Sequence, residues 1–183
     1  MNGLTGFTTN VQLTLDITGG FNGDLNAYLA GPGGGFVVMF NRTGLSGGNL
    51  VGYNDAGMDV SLSDGAVNGD IHYYHNVLNP GGAQLTGSWS PDGRNIDPQS
   101  AAGIFDSTAS TALFSSFVGS DPNGTWTFFI ADLSAGGGQP ILNSLTLTIV
   151  TVPEPTAWAL FVLGLLLVVI RLSGKGATRA IGK

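Results

Sequence analysis

The chain of 183 residues contains no cysteine, a single glutamate and only 10% charged residues. Without cysteine, disulfide bonds cannot stabilise the fold. The scarcity of Glu and Lys disfavours helices, whereas 30 glycines and frequent Thr, Val, Phe and Asn favour short strands joined by tight turns. The composition therefore predicts an all-β fold.

Charge is distributed unevenly along the chain. Before Val152, eleven Asp are opposed only by Arg42 and Arg94, which gives a net charge of −9. From Val152 onward, Glu154 and four basic residues give +3. Because an acidic body without a cluster of Lys or Arg repels phosphate backbones, we expect no nucleic-acid partner.

Residues 157–170 form an apolar run without a charge. The run alone is short for a membrane span, but a helix from Pro155 to Ser173 would measure about 28 Å, close to the thickness of a bilayer core. A buried core helix is the alternative, although such helices normally carry a polar stripe. The basic residues that follow are Arg171, Lys175, Arg179 and Lys183. By the positive-inside rule they predict a single transmembrane helix with its basic end in the cytoplasm and the acidic body outside.

A proline-rich motif, Val152, Pro153, Glu154 and Pro155, stands directly before this run. Two prolines keep the backbone extended and free of ladder hydrogen bonds, so the segment would be accessible to a protease. Pro-Glu-Pro followed by an apolar helix and a basic end resembles the PEP-CTERM sorting signal of bacteria. The resemblance implies that an exosortase, a membrane-embedded cysteine protease, removes the tail during export. The alternative is a rigid linker between a domain and its membrane anchor.

The first residues, MNGLTGFTTNVQ, have neither the basic nor the apolar region of a signal peptide. Because export needs such a segment, we expect further coding sequence ahead of Met1. It would encode either a signal peptide or a protease domain.

The body shows the alternation of half-buried strands. Apolar residues at every second position predict strands at 8–17, 125–131 and 145–149. Apolar-rich runs joined by a glycine turn predict a pair of strands at 25–30 and 36–40, and further candidate strands are 59–62, 84–89 and 113–118. About eight short strands separated by turn signals are typical of a β-sandwich or jelly roll. We expect one such domain over residues 1–150, followed by a sorting tail over 151–183.

Three segments of the body resemble the P domain of proprotein convertases. They are Gly23-Asp24-Leu25, Gly124-Thr125-Trp126 leading to Asp132, and Leu142-Asn143-Ser144, and the likeness extends over residues 11–149. The resemblance implies a jelly-roll-like β-sandwich of a kind that usually follows a subtilisin-like protease. Since no protease domain is part of this sequence, we expect a binding or structural module and not an enzyme.

Two patterns suggest catalysis or metal binding but have simpler interpretations. Residues 44–48 match the G-x-S-x-G nucleophile elbow around Ser46, yet no helix is predicted after them, which favours a turn. His72 and His75 could bind zinc only from a helix, and we expect an exposed loop there. The sequence therefore predicts no catalytic residue and no metal ligand.

Calcium is the one cofactor that the sequence leaves open. Aspartates fall near predicted strand ends, where their oxygen atoms could gather around a cation; they are Asp24, Asp55, Asp59, Asp64, Asp121 and Asp132. Some P domains bind calcium, but Asp also favours turns through its own side-chain hydrogen bonds. We expect no cofactor, with calcium as the alternative.

These observations predict an exported bacterial protein of the cell envelope or extracellular matrix, structural or adhesive in role. Its partners would be the membrane, an exosortase and exopolysaccharide, and it would be anchored through its C-terminal helix before processing and lie at the cell surface or outside the cell afterwards. The alternatives are the C-terminal accessory domain of a secreted subtilisin-like protease and a single-pass membrane protein that keeps its tail.

Overall fold

The computed structural model describes residues 1–153 and 157–176. The chain divides into two compact units, Met1–Val152 and Pro153–Lys183. The strands of the described residues are β1 (Phe7–Thr18), β2 (Leu25–Ala30), β3 (Phe36–Asn41), β4 (Gly57–Leu62), β5 (Leu85–Trp89), β6 (Thr127–Asp132) and β7 (Ile141–Val152). The helices are α1 (Ala102–Ser107) and α2 (Ala157–Gly176), with 3₁₀ segments at Asn22–Asp24, Ile71–Asn76 and Phe114–Phe117.

The strands of the first unit form two sheets. One has the order β5-β4-β1-β7 and the other the order β3-β2-β6. Neighbouring strands are antiparallel except β4 and β5, which are parallel. The mainly β architecture with two sheets confirms the predicted fold class at this level.

Both sheets contribute to one hydrophobic core. The alternating apolar residues of β1, from Val11 to Ile17, are at most 1% exposed. They belong to the same buried cluster as Ala27 of β2, Phe40 of β3 and Trp89 of β5. Because the period of two sends every second side chain inward, β1 supplies the centre of the core over 11–17, while the polar residues between these apolar ones face outward.

The predicted strand at 113–118 is wrong, because this segment contains the 3₁₀ turn Phe114–Phe117. The Asp64 carboxylate holds the turn by accepting hydrogen bonds from the backbone N–H groups of Phe114 at 3.0 Å and Ser115 at 2.7 Å. The turn buries both Phe114 and Phe117. A short apolar-rich segment can thus be a turn that sends two rings, three residues apart, into the core.

The second unit contains α2, whose described apolar side chains over 162–170 are each more than half exposed. Among the described residues, no helix is both long enough and apolar enough to cross a membrane, so the predicted span is not found there.

Candidate functional site

The residues of the predicted sorting signal lie at and after the end of the first unit. Val152 is the last residue of β7 and is 55% exposed, and Pro153 follows it with an exposed side chain. Glu154 and Pro155 lie outside the described residues. The sorting motif therefore stays a prediction, although its first two residues are exposed.

The predicted basic tail is described only in its first half. Arg171 is exposed on α2, and Lys175 lies in the last turn of the same helix. Arg179 and Lys183 lie outside the described residues. Its role at a membrane likewise stays a prediction.

Ser46 sits in a tight turn, as predicted. The turn is closed by backbone hydrogen bonds between Ser46 and Asn49, and the Ser46 hydroxyl accepts a further bond from the Asn49 N–H at 3.0 Å. The nearby ring of His72 places its Nε2 atom 3.0 Å from the carbonyl oxygen of Leu45 and not on the serine hydroxyl. This geometry does not activate Ser46 as a nucleophile.

His72 was expected in an exposed loop, and that prediction is wrong. The ring is fully buried, and the residue belongs to the 3₁₀ segment Ile71–Asn76. Asp70 starts this segment because its side chain accepts a hydrogen bond from the His72 N–H at 2.8 Å. His72 Nδ1 lies 2.7 Å from Oδ2 of Asp92. Both ring nitrogens thus have protein partners, and neither is directed at a ligand.

Arg94 completes this buried polar cluster. Its Nη1 atom donates to Asp70 at 2.9 Å and to Asp92 at 3.0 Å, and its Nε atom donates to the carbonyl oxygen of Phe105 at 3.2 Å. Burial alone would lower the pKa of Arg94, but the two carboxylates outweigh it and raise that pKa. Burial also raises the pKa of Asp70, against the attraction of Arg94. The cluster is an internally satisfied ion network, which is the arrangement of a structural element.

A second polar cluster surrounds Asp55, which is 1% exposed. Its Oδ2 atom accepts hydrogen bonds from the Tyr74 hydroxyl at 2.7 Å and from Nε2 of His75 at 2.5 Å, and its Oδ1 atom accepts one from the Gly82 N–H at 2.7 Å. Burial opposes the charge of Asp55, yet these hydrogen bonds outweigh it and lower the pKa of the carboxyl. The ring of His75 stacks on Tyr53, with 3.7 Å between ring centroids.

A pocket of about 420 Å³ lies next to this cluster and shares Tyr53 with it. Its lining includes two charged residues, Asp24 and Arg42. Asp24 closes the 3₁₀ segment before β2, Arg42 follows β3, and Tyr53 lies in the loop before β4. The loops meet closely because Gly23 donates its N–H to the carbonyl oxygen of Tyr53 at 2.7 Å. A Cβ atom at Gly23 would lie only 2.6 Å from the Tyr53 nitrogen, so this approach requires glycine.

Asp24 is the residue in this pocket whose bonding is incomplete. It is 6% exposed, and its carboxylate accepts no hydrogen bond from any described residue. The nearest cationic atom, Nη2 of Arg42, lies 4.0 Å from Oδ1. Burial raises the pKa of Asp24; Arg42 lowers it, and the charge of Asp132 raises it further. Sequence reasoning singled out Asp24 as an oxygen ligand but missed Arg42. The two residues lie close together because they flank the paired strands β2 and β3, where the Arg42 N–H donates to the carbonyl oxygen of Leu25 at 2.8 Å.

The six aspartates considered for calcium do not gather at one point. Asp55 and Asp64 are occupied by the hydrogen bonds described above, and Asp59 is exposed on β4. Over the described part of the chain, no group of three or more His, Asp or Glu could hold a metal ion. Calcium stays an untested alternative.

No family model, no curated protein and no solved structure matches the chain.

Proposed function

We propose that the protein is an exported bacterial envelope protein without enzymatic activity, whose β-domain serves a structural or adhesive role and whose tail is a substrate for an exosortase. The observation that carries this proposal is the order of the last segments: Val152 to Pro155, the apolar run 157–170, and the basic residues that begin with Arg171. The acidic body and basic tail add the charge asymmetry that an outside-to-inside topology requires.

The position of the motif supports processing. β7 ends at Val152, so Pro-Glu-Pro begins where the hydrogen-bonded body stops. A protease needs an extended, accessible backbone, and Val152 and Pro153 are both exposed. A cut after the body would leave the two sheets intact.

The character of α2 supports a lipid partner. Its side chains over 162–170 are apolar and exposed over more than half their surface, a pattern that marks interaction surfaces. The proposed membrane segment, 155–173, begins in residues outside the described part of the chain. The proposal includes two further parts: that this segment spans the membrane, and that the body is a jelly-roll-like sandwich related to P domains.

The bonding of the candidate catalytic groups supports a non-enzymatic role. Ser46 has no general base on its hydroxyl, and His72 is engaged at both ring nitrogens. The closed polar clusters around Asp92 and Asp55 both hold side chains of the 3₁₀ segment Ile71–Asn76 in place.

The proposal is tested by producing the full chain with its native upstream sequence in a bacterium that has an exosortase, and by mass spectrometry of the surface protein. We expect that peptides from the C-terminal tail are missing, and that replacing Pro153 and Pro155 together by Ala restores them. Pro80→Ala, in a loop of the body, is the matched control and should leave processing unchanged. A surface protein that retains the peptide containing Arg179 would overturn the proposal.

The alternative, an accessory domain of a subtilisin-like protease, draws support from the two-sheet architecture and from the P-domain pattern. Reading the genomic sequence upstream of the codon for Met1 separates the two. A signal peptide a short distance upstream favours the envelope protein, and a protease domain favours the accessory domain.

A further inference from the structure

The carboxylate of Asp24 accepts no hydrogen bond from the described residues. The residue is 6% exposed, and the nearest cationic atom, Nη2 of Arg42, lies 4.0 Å away. A carboxylate that lines a pocket without a protein donor has its oxygen atoms available to accept hydrogen bonds from a bound molecule. The carboxylate lines the 420 Å³ pocket, so a bound molecule could supply the missing donors.

Arg42 places a hydrogen-bond donor beside this acceptor. Its Nε atom is fixed by the carbonyl oxygen of Gly23 at 3.2 Å, and its Nη2 atom lies 4.0 Å from Asp24 Oδ1. Arg42 also adopts a left-handed backbone with φ of 51°, the one non-glycine residue within the described part of the chain to do so. A left-handed backbone is unfavourable for a residue with a side chain, and it persists where the surrounding structure holds that residue in position.

The charges around the pocket disfavour a charged ligand. Arg42 opposes a divalent cation or an ammonium group, although Asp132 adds a second negative charge nearby, and Asp24 opposes an anion. A neutral molecule with adjacent hydroxyl groups fits both residues, because one hydroxyl can donate to the carboxylate while its neighbour accepts from the guanidinium.

The walls of the pocket suit the body of such a molecule. Phe21 and Tyr53 supply aromatic surface, and Gly136 adds backbone without a side chain to the wall. Ligand sites commonly measure about 300–1,000 Å³ and combine apolar walls with a few polar groups. A pocket of about 420 Å³ has room for one sugar residue of a longer chain.

We infer that this pocket binds a neutral saccharide unit through a vicinal diol, with Asp24 as the acceptor and Arg42 as the donor. The inference rests on the proposed function in that it names the ligand class of an adhesive domain. Its test does not involve export or tail processing, so failure of one can be distinguished from failure of the other.

Binding is measured on the full chain in dodecylphosphocholine micelles, since detergents with sugar head groups would compete. The probes are the methyl glycosides of glucose, galactose and mannose. Their binding is measured by saturation-transfer NMR and by calorimetry. We expect at least one to bind with a dissociation constant of about 1 mM, the value that ordinary ligand efficiencies give for a molecule of about thirteen heavy atoms. Fully O-methylated methyl glucoside has no donor for Asp24 and should not bind.

Two variants and one control localise the binding. Asp24→Asn keeps the shape of the side chain but loses its charge, and we expect binding at least about tenfold weaker. Val51→Trp fills the mouth of the pocket from a residue that is 70% exposed, and it should abolish binding without disturbing the core. Asp59→Asn, an exposed aspartate on β4, should bind like the unchanged protein.

Three outcomes would overturn the inference. One is that no glycoside shows saturable binding, and another is that Asp24→Asn and Val51→Trp, both folded by circular dichroism, bind as well as the control. The third is that calcium or methylguanidinium binds the pocket and the glycosides do not, which would assign the carboxylate to a cation.

Discussion

Replacing Asp55 by Ala should destabilise the first unit by about 3–5 kcal/mol. Asp55 accepts three hydrogen bonds, of which only the one from Tyr74 involves a fully buried donor. In the variant the Tyr74 hydroxyl still accepts from Asn22 at 3.1 Å but has no acceptor of its own, which costs about 1–3 kcal/mol. The other two donors can form hydrogen bonds with water instead, since 24% of the His75 side chain is exposed and Gly82 is exposed. The loss of each of these two bonds therefore costs about 1 kcal/mol.

This loss is a large part of the stability of an ordinary domain, which is about 5–15 kcal/mol. Urea unfolding of the full chain, followed by the fluorescence of the buried Trp89, measures it. The exposed Asp59→Ala is the matched control and should stay within about 0.5 kcal/mol of the unchanged protein. A loss below about 1 kcal/mol for Asp55→Ala would refute the reasoning that this carboxylate organises the loop cluster.

The same pair of proteins gives a pH test with a defined sign. Because the pKa of Asp55 is lowered in the fold, its contribution is complete above the unfolded value of about 3.9 and is lost as the pH falls through the folded pKa. The difference in unfolding free energy between the unchanged protein and Asp55→Ala should therefore shrink below about pH 3.9. A difference that stays constant down to pH 2 would contradict the assignment of the lowered pKa to these hydrogen bonds.

Four further changes test other parts of the structure. Asp24→Asn should raise the urea midpoint at pH 7, because burial raises the pKa of Asp24 and disfavours its ionised form in the fold. The gain in stability should vanish below about pH 3.9, where the carboxyl is protonated in both the folded and the unfolded state. A lower midpoint at pH 7 would instead give Asp24 a structural role. Gly57→Ala should cost about 2–5 kcal/mol, because its φ is 90° and a Cβ atom would overlap the carbonyl oxygen of Ile17. Gly65→Ala, with φ of 68° and open space around it, should cost only about 1–2 kcal/mol by the same unfolding assay, and equal losses would show that crowding is unimportant. Leu15→Ala, fully buried in β1, should cost about 2–5 kcal/mol, and a change under about 1 kcal/mol would be incompatible with a packed core.

The sequence was sufficient to predict those strands in which the alternation of apolar and polar residues matches the alternation of buried and exposed side chains. The alternation in β1 is visible because its neighbours β4 and β7 leave one face to the core and one to water. The segment around Phe114 is also rich in apolar residues but is not a strand, since the deciding contact comes from Asp64, fifty residues earlier in the chain. Local patterns indicate which side chains are buried, and distant partners decide the backbone conformation.

The polar clusters and the pocket could not be predicted for a related reason. His72 has no local feature that distinguishes a buried ring from an exposed one, and its partner Asp92 lies twenty residues away. Arg42 lies beside Asp24 because β2 pairs with β3, and the loop that contains Tyr53 joins them because Gly23 allows its close approach. In the sequence, Gly23 and Gly52 indicate only turns, and nothing there indicates that these turns meet at the pocket.

The pairing of the first strand with the last has a mechanical consequence. Phe7 lies opposite Val152, so the point at which the tail leaves the domain is also the free end of the β1–β7 ladder. Tension transmitted through an anchored tail would act on this end and peel the ladder open one residue pair at a time, starting from side chains that are 46% and 55% exposed. A tethered domain would therefore yield to force at a rate set by the opening of this first pair, and severing the tail would remove the load.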